Sequence, residues 1–248
     1  MVNARIGGMV IGFLLFVSGF ATAAENNTLT AEEKRAGWKL LFDGKTTDGW
    51  RGYKMEKMPP GWRVIEGALV RVQGGEGGKG AGGGDDVMTV DEFENFEFKV
   101  DWRIMDKAGN SGIIIRAAED AVTSWHTGPE FQILDNPAYP GRSVKELAAA
   151  CYDLYAPAKD VYRGLKEWNE ARIVAKGMHI EHWLNGAKMC EYEMGSDEWK
   201  KLVAGSKFKD MKHFQNPPTK GHIVLQDHTA RLEFRNIKIR VIGAQTNQ

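Results

Sequence analysis

Along most of this chain polar and apolar residues take turns. Phe96, Phe98, Val100 and Trp102 alternate with Glu97, Lys99, Asp101 and Arg103, the period-2 pattern of a half-buried strand. Residues 113–116 follow the turn signal Gly109-Asn110-Ser111-Gly112, so these two runs are expected to form a hairpin. Residues 171–175 and 179–184 flank Lys176-Gly177, and Asn185-Gly186 leads into residues 187–192, which predicts a meander of three strands. A final pair, residues 222–227 and 232–240, alternates again and closes the domain. Helical signals are brief. One candidate spans 144–150, in a loop that carries Pro137, Pro140 and Gly141. The other spans 196–204, where Ser196-Asp197-Glu198 precede the apolar Trp199, Leu202 and Val203 in the manner of a capped helix. Many antiparallel strands with only short helices in loops predict an all-β fold, a two-sheet β-sandwich of jelly-roll type.

One strand differs from the rest in what it exposes. In Gly128-Pro-Glu-Phe-Gln-Ile-Leu-Asp-Asn136, Phe131 and Ile133 share one face while Glu130 and Gln132 share the other, and Asp135-Asn136 end the run before Pro137. A strand that hides its apolar face and presents a carboxylate and an amide is suited to hold a polar ligand. The same alternation puts Arg116 on the side of Ile114, and Gln226 on the side of His228. If those faces line one concave sheet, a carboxylate, a guanidinium, two amides and an imidazole converge. Trp125-His126 lies just ahead of the strand, within reach of the rim. Trp125 and Trp183, with polar neighbours, are candidate sugar platforms, although Trp183 also fits a packing role. Trp50, Trp62, Trp102 and Trp168 fit packing better. Each polar residue has a plainer reading as well. Glu130 and Arg116 could form a cross-sheet ion pair, Gln132 and Gln226 could tie strands together, and Asp135 and Asn136 could only shape a turn. His179 and His182 are three apart in a strand pattern, point to opposite faces and are not a metal pair.

The N-terminus changes the expected location. Arg5, an apolar run over 9–20 and Ala21-Thr22-Ala23 before Ala24-Glu25 form the charge, core and cleavage pattern of a secretory signal peptide over 1–23. The run is shorter than the roughly 20 apolar residues of a spanning helix, so no stable membrane anchor is expected after processing. The product would be periplasmic or secreted. A lead-in at 24–36, a single domain at 37–242 and a tail at 243–248 complete the expected organisation. With 33 Lys+Arg against 33 Asp+Glu, nothing electrostatic points to nucleic acid. The glycine-rich stretch 74–84 contains Gly78-Lys79-Gly80, but Gly80 stands where a phosphate loop needs Ser or Thr, so it reads as a linker loop. Cys151 and Cys190 have neither zinc nor redox-pair spacing, and their spacing leaves open whether they pair.

Several motifs occur in an order that resembles one family. Leu41-Phe42-Asp43-Gly44-Lys45 leading to Trp50, then Gly61-Trp62 and Gly109-Asn110-Ser111-Gly112-Ile113, open the series. The 128–136 strand, Glu167-Trp168-Asn169-Glu170, Trp183-Leu184-Asn185-Gly186, the run 221–228 and Phe234-Arg235-Asn236-Ile237 continue it. Over residues 37–240 the chain resembles the 3-keto-disaccharide hydrolases, also described as 3-keto-glucoside lyases and hydratases. The resemblance implies a concanavalin-A-like jelly roll and a small 3-keto-glycoside substrate, supplied by a separate sugar 3-dehydrogenase. A C3 ketone acidifies the hydrogen on C2, so a base can remove it and the C1 substituent can leave, with water able to add afterwards. For that chemistry Glu130 is the candidate base, His228 the proton donor or second base, and Arg116 the group holding substrate. Gln132, Gln226, His126, Asp135, Asn136 and Trp125 are the candidate substrate contacts. No cofactor is established; a divalent metal on Glu130, Asp135, His126 or His228 suits the residue types, although no ligand spacing defines one. A noncatalytic carbohydrate-binding module and a conventional two-carboxylate glycosidase are the alternatives.

Overall fold

The computed structural model describes Met1 and residues 25–72, 86–228 and 230–243. The signal-peptide pattern, the glycine-rich stretch and the tail beyond Gly243 lie outside the described residues. In chain order the strands are β1 (Trp38–Leu40), β2 (Trp50–Gly52), β3 (Trp62–Ile65), β4 (Ala68–Arg71), β5 (Val87–Thr89), β6 (Phe96–Ile104) and β7 (Asn110–Ala117). They continue as β8 (Glu130–Leu134), β9 (Asn169–Lys176), β10 (His179–Leu184), β11 (Ala187–Glu193), β12 (His222–Leu225) and β13 (Leu232–Val241). Three short helices accompany them: α1 (Ala31–Arg35), α2 (Asp197–Ala204) and α3 (Lys212–Gln215).

The strands form two antiparallel sheets. The larger runs β11-β10-β9-β6-β13-β4-β3, with β1 also beside β13, and the smaller runs β2-β5-β12-β7-β8. Alternation explains why they face each other. Phe96, Phe98, Val100 and Trp102 of β6 project from the larger sheet into the same fully buried space as Ile113, Ile115, Phe131 and Ile133 of the smaller. Each large apolar side chain moved from water into this layer contributes about 1.5–3 kcal/mol. The fold is the jelly-roll β-sandwich that the strand pattern predicts.

Two expected pairings change. The runs 96–104 and 110–117 are not a hairpin: β6 pairs with β9 and β13, while β7 pairs with β8 and β12 in the opposite sheet. Likewise β12 and β13 belong to different sheets rather than to one closing pair. A hairpin and an arch between sheets share the same alternation and the same turn residues, so periodicity does not separate them. Here the arch is braced by Asp135, whose carboxylate accepts from the Ala108 N–H at 2.9 Å. The β9-β10-β11 meander forms as expected, with His182 buried on the core side and His179 on the outer face. So does α2, capped by Ser196 accepting from the Trp199 N–H at 3.1 Å. The helix expected over 144–150 shrinks to a single 3-10 turn, Val144–Glu146. Its alanines instead serve the sheet, as Ala149 donates to the Gln132 carbonyl and Ala150 accepts from the Gln132 N–H, at 2.8 and 3.1 Å. Cys151 and Cys190 are free thiols.

Arg116 is the clearest failure of simple alternation. His222 pairs with Ala117 and Val224 with Ile114, so two residue steps on β12 span three on β7, and Arg116 adopts φ 55°. This bulge shifts the parity by one residue: Ala117, not Arg116, joins Ile114, Val224 and Met88 on the outer face of the smaller sheet. The fully buried Arg116 guanidinium donates to the carbonyls of Glu94 and Pro218 at 3.2 and 3.3 Å and to that of Gly177, and it touches the sulfurs of Met178 and Met194. It is a structural clamp between loops and pairs with no carboxylate among those contacts. Gly221 lies against the bulge so closely that a β-carbon there would come within 2.5 Å of the Arg116 carbonyl carbon. Replacement of Arg116 by Met should therefore lower stability by about 2–4 kcal/mol, since the carbonyls it serves lose a charged donor. Urea unfolding measures this, and a loss below about 0.5 kcal/mol would contradict the clamp role.

Candidate active site

The smaller sheet carries a cavity of about 190 Å³ at the β8 end of its outer face. Glu130 and Gln132 reach it from β8, Asn110 from the start of β7, and Gln226 and His228 from the run that leaves β12. Their convergence follows from register. Glu130 stands opposite Ile114 and Gln132 opposite Gly112, while the Gln226 N–H donates to the Gly112 carbonyl at 2.9 Å, which brings β8, β7 and the β12 extension level. Gly112 is what allows the carboxyl group to lie flat on the sheet. A β-carbon at that position would sit 2.7 Å from Glu130 Cδ, inside any tolerable contact.

Loops build the wall. The backbone of 149–152 runs along the outer edge of β8, and the Tyr152 N–H donates to the Glu130 carbonyl at 3.0 Å, so the Tyr152 ring stands next to the acid. Asp153 accepts from the Lys207 N–H at 3.0 Å and thereby draws the segment after α2 into the same wall. Lys207 Nζ lies 4.0 Å from the centre of the Tyr152 ring, 4.5 Å from Trp125 and 5.1 Å from Phe208. Arg142 completes the lining; it meets Glu146 at 2.7 Å and donates to the Tyr152 hydroxyl at 3.3 Å. Beneath the floor, Asp86 accepts from Ser124 Oγ and, at 2.8 Å, from the Asp227 N–H, while Asp227 meets Arg71 at 2.6 Å. This buried lattice fixes the neighbours of both Trp125 and His228.

Electrostatically the pocket is organised around Glu130. Burial pushes its carboxyl up to about 7 from an ordinary 4.5, against the opposing pull of Lys207 and Arg142, with Asp86 adding to the rise. Burial also lowers the Lys207 ammonium, while Glu130 raises it. His126 is lowered by burial and then by Lys207. Gln132 is nearly inaccessible, yet among the described residues neither its amide oxygen nor its nitrogen has a hydrogen-bond partner, and Asn110 Oδ1 is likewise unpaired. Leaving such groups buried and unpaired costs about 1–3 kcal/mol each, a cost that a hydroxylated ligand would relieve.

Of the residues singled out from sequence, Glu130, Gln132, Gln226, His228 and Trp125 line this one cavity. Arg116 does not, because the bulge turns it into the opposite end of the sandwich. Asp135 braces the sheet-crossing arch, and Asn136 holds the Ala148 N–H at 2.9 Å and Asp160 at 3.1 Å; both are loop residues rather than pocket contacts. His126 packs edge-on against Trp125 with centroids 4.0 Å apart, behind the lining. Trp183 lies on the outer face of the larger sheet beside Arg172 and Lys188, away from the cavity. With Asp135 directed elsewhere, the four residues considered for a metal do not form one set. Among the described residues the ligand atoms of His179, Glu181 and Glu191 gather within 4.8 Å on the outer face of the larger sheet, where Lys188 already meets both carboxylates at 3.1 and 2.8 Å. Sequence reading missed Asn110, Arg142, Tyr152 and Lys207. Asn110 sits in a turn signal and was legible in principle; the other three lie in irregular loops with no periodicity to orient them.

Comparison with known proteins agrees with the fold. The model of the 3-keto-alpha-glucoside-1,2-lyase-like domain matches residues 37–240. The chain is 31% identical over 246 residues to the 3-keto-disaccharide hydrolase of Bacteroides thetaiotaomicron, covering 89% of this chain and 83% of that protein. A crystal structure from Parabacteroides distasonis, described provisionally as a glycosyl hydrolase, superimposes with a TM-score of 0.78 at 31% identity, covering 88% of this chain and all (100%) of that one. A second such structure from the same organism gives a TM-score of 0.66 at 29% identity, with 83% and 99% covered. The chain belongs to the family of 3-keto-alpha-glucoside-1,2-lyase-like domains.

Proposed function

We propose that the protein is a carbohydrate-active enzyme that cleaves 3-keto-glycosides, with Glu130 as the base that removes the C2 proton. The observation that carries this reading is a single buried carboxyl, that of Glu130, in a pocket where the Gln132 amide and Asn110 Oδ1 have no hydrogen-bond partner among the described residues. Efficient proton abstraction needs a base whose pKa lies near the working pH, and burial supplies that here. As Glu130 takes the C2 hydrogen as a proton, the C2–H electrons form an enediolate across C2 and C3. Collapse of the enediolate restores the C3 carbonyl, shifts the double bond to C1=C2 and breaks the bond from C1 to the leaving oxygen, which takes up a proton. His228, on the same lining, is the proposed donor of that proton. Water can then add to the unsaturated sugar. The amides of Gln132 and Asn110 suit sugar hydroxyls. A cavity of about 190 Å³ is small beside the roughly 300–1,000 Å³ of clefts for drug-sized ligands, which suits one sugar ring with its aglycone outside. Among the described residues Glu130 is the one acid lining the cavity, whereas a conventional glycosidase needs two facing carboxyls. The oxidised substrate requires a sugar 3-dehydrogenase upstream. We further propose, from the charge, apolar and small-residue pattern over 1–23, that the enzyme works in the periplasm or outside the cell.

Three groups of outcomes follow, the first on the proton abstraction itself. Glu130→Gln should keep the fold and lower turnover at least about 100-fold. With a C2-deuterated 3-keto-glycoside in ordinary water, wild type should release the deuterium to solvent; complete retention of label during normal turnover would exclude elimination. The pH profile gives the second outcome. Because Glu130 must be ionised to act, kcat/KM should rise with pH through a midpoint near about 7, and a flat profile between pH 5 and 9 would remove Glu130 as the base. The stability linkage has the opposite sign. A carboxyl raised in the folded state stabilises it below the ordinary 4.5 and loses that contribution as pH rises through about 7, so Glu130→Gln should gain stability over wild type at alkaline pH. Third, mass spectrometry of protein made in its native host should find the mature chain beginning near Ala24; an intact Met1 would refute export.

A further inference from the structure

Lys207 meets aromatic rings where several other lysines of the chain meet carboxylates. Lys188, Lys212, Lys220 and Lys238 all meet carboxylates in ion pairs. Lys207, although exposed as a residue, carries its Nζ into the pocket wall against the faces of Tyr152, Trp125 and Phe208. Its neighbour Asp153 uses a carboxylate oxygen on the Lys207 backbone N–H instead of on the ammonium. Ring faces hold a cation without neutralising it, so the full charge stays available to whatever enters. The alternative cation, Arg142, already spends its charge on Glu146 at 2.7 Å.

The support behind Lys207 is rigid. Phe208 stacks on Phe214 with centroids 4.0 Å apart and planes 2° from parallel, Phe214 stacks on Trp199 at 6.0 Å, and the Trp199 indole N–H donates to the Phe214 carbonyl at 2.8 Å. Trp199 in turn stacks on Tyr192 of β11. A continuous aromatic stack therefore anchors the lysine to the larger sheet. Fixed in advance, such a charge costs little reorganisation when it acts.

We propose that Lys207 is a catalytic electrophile of this site, its ammonium hydrogen-bonding the C3 oxygen and taking up the negative charge that develops there as Glu130 removes the C2 proton. The proposal rests on the reading of the pocket as a 3-keto-glycoside site. No bond to the lysine forms: the ammonium keeps its protons, the C2 proton goes to Glu130, and the charge returns from the C3 oxygen to the leaving oxygen as the C1 bond breaks. Glu130 and Lys207 are thus a matched base and acid across one C2–C3 bond, which explains why a buried carboxyl and an unneutralised ammonium share so small a cavity.

The test uses purified full-length enzyme, a 3-keto-glycoside, and Lys207→Met and Lys207→Arg variants whose folding is verified by thermal melting. Lys207→Met should lower the kcat plateau by about 100-fold or more with KM changed less than about threefold, and should slow exchange of the C2 hydrogen in parallel. Lys207→Arg, which keeps the charge, should retain most of what Met loses. Removing the cation also lets the Glu130 carboxyl rise, so the ascending limb will move to higher pH. That shift separates the two roles. If Lys207 only tunes the base, the rate of Lys207→Met recovers fully above the displaced limb, and the proposal is overturned; a plateau that stays low supports it. Should Lys207→Met fail to fold, Lys207→Gln takes its place with the same criterion. Wild-type enzyme that cleaves no 3-keto-glycoside would overturn the pocket reading itself, whereas active wild type with an undiminished Lys207→Met plateau would remove the lysine alone.

Discussion

Backbone pairing along the outer edge of β8 is the constraint on which this pocket depends. A sheet edge leaves unpaired N–H and C=O groups that have to be satisfied. Here residues 149–152 satisfy them from Gln132 and Glu130, and by doing so they seal the side of the carboxyl group. The same pairing sets Tyr152 beside Glu130, and the bond from Lys207 to Asp153 then brings the loop after α2 into place. The high proton affinity of Glu130 is thus a consequence of edge closure, and the catalytic proposal inherits it.

A second constraint lies beneath the floor. Arg71, Asp227, Asp86 and Ser124 form a buried polar lattice that links the strand preceding the glycine-rich stretch to the ends of β12 and of the Trp125 loop. Breaking one partner of such a lattice strands a charge in the interior, which is far costlier than losing a surface pair. The lattice adjoins the cavity lining in sequence at Trp125 and His228, and Asp86 also adds to the rise of the Glu130 carboxyl. The division of labour is clear: the outer-edge loops set the chemistry, and the buried lattice holds its coordinates.

Much of the fold is legible as alternation, because a strand buried on one face repeats every two residues whatever its partner. The faces of Glu130 with Gln132, and of Gln226 with His228, follow directly from that period and hold in the structure. So does the separation of His179 from His182. Arg116 shows where the rule ends. One inserted residue at φ 55° reverses every face after it, and no residue type in Ile113-Ile114-Ile115-Arg116 announces the bulge. Asp135 and Asn136 show the other limit: their side chains suit ligands and turns equally, and only the position of the arch decides for the turn.

By itself the sequence determined the strands from residue 96 onward, the faces most of them bury, the capped α2 and the family, since each rests on local period or on motif order. Tertiary structure alone decided which strands share a sheet, because hairpins and arches have the same local pattern. It alone brought Arg142, Tyr152 and Lys207 to Glu130, from 12, 22 and 77 positions away along the chain. Their loops have no periodicity, so what orients them is the need of a sheet edge for hydrogen bonds and of three aromatic rings for one another. Those demands act between distant segments and exist only once the two sheets have closed.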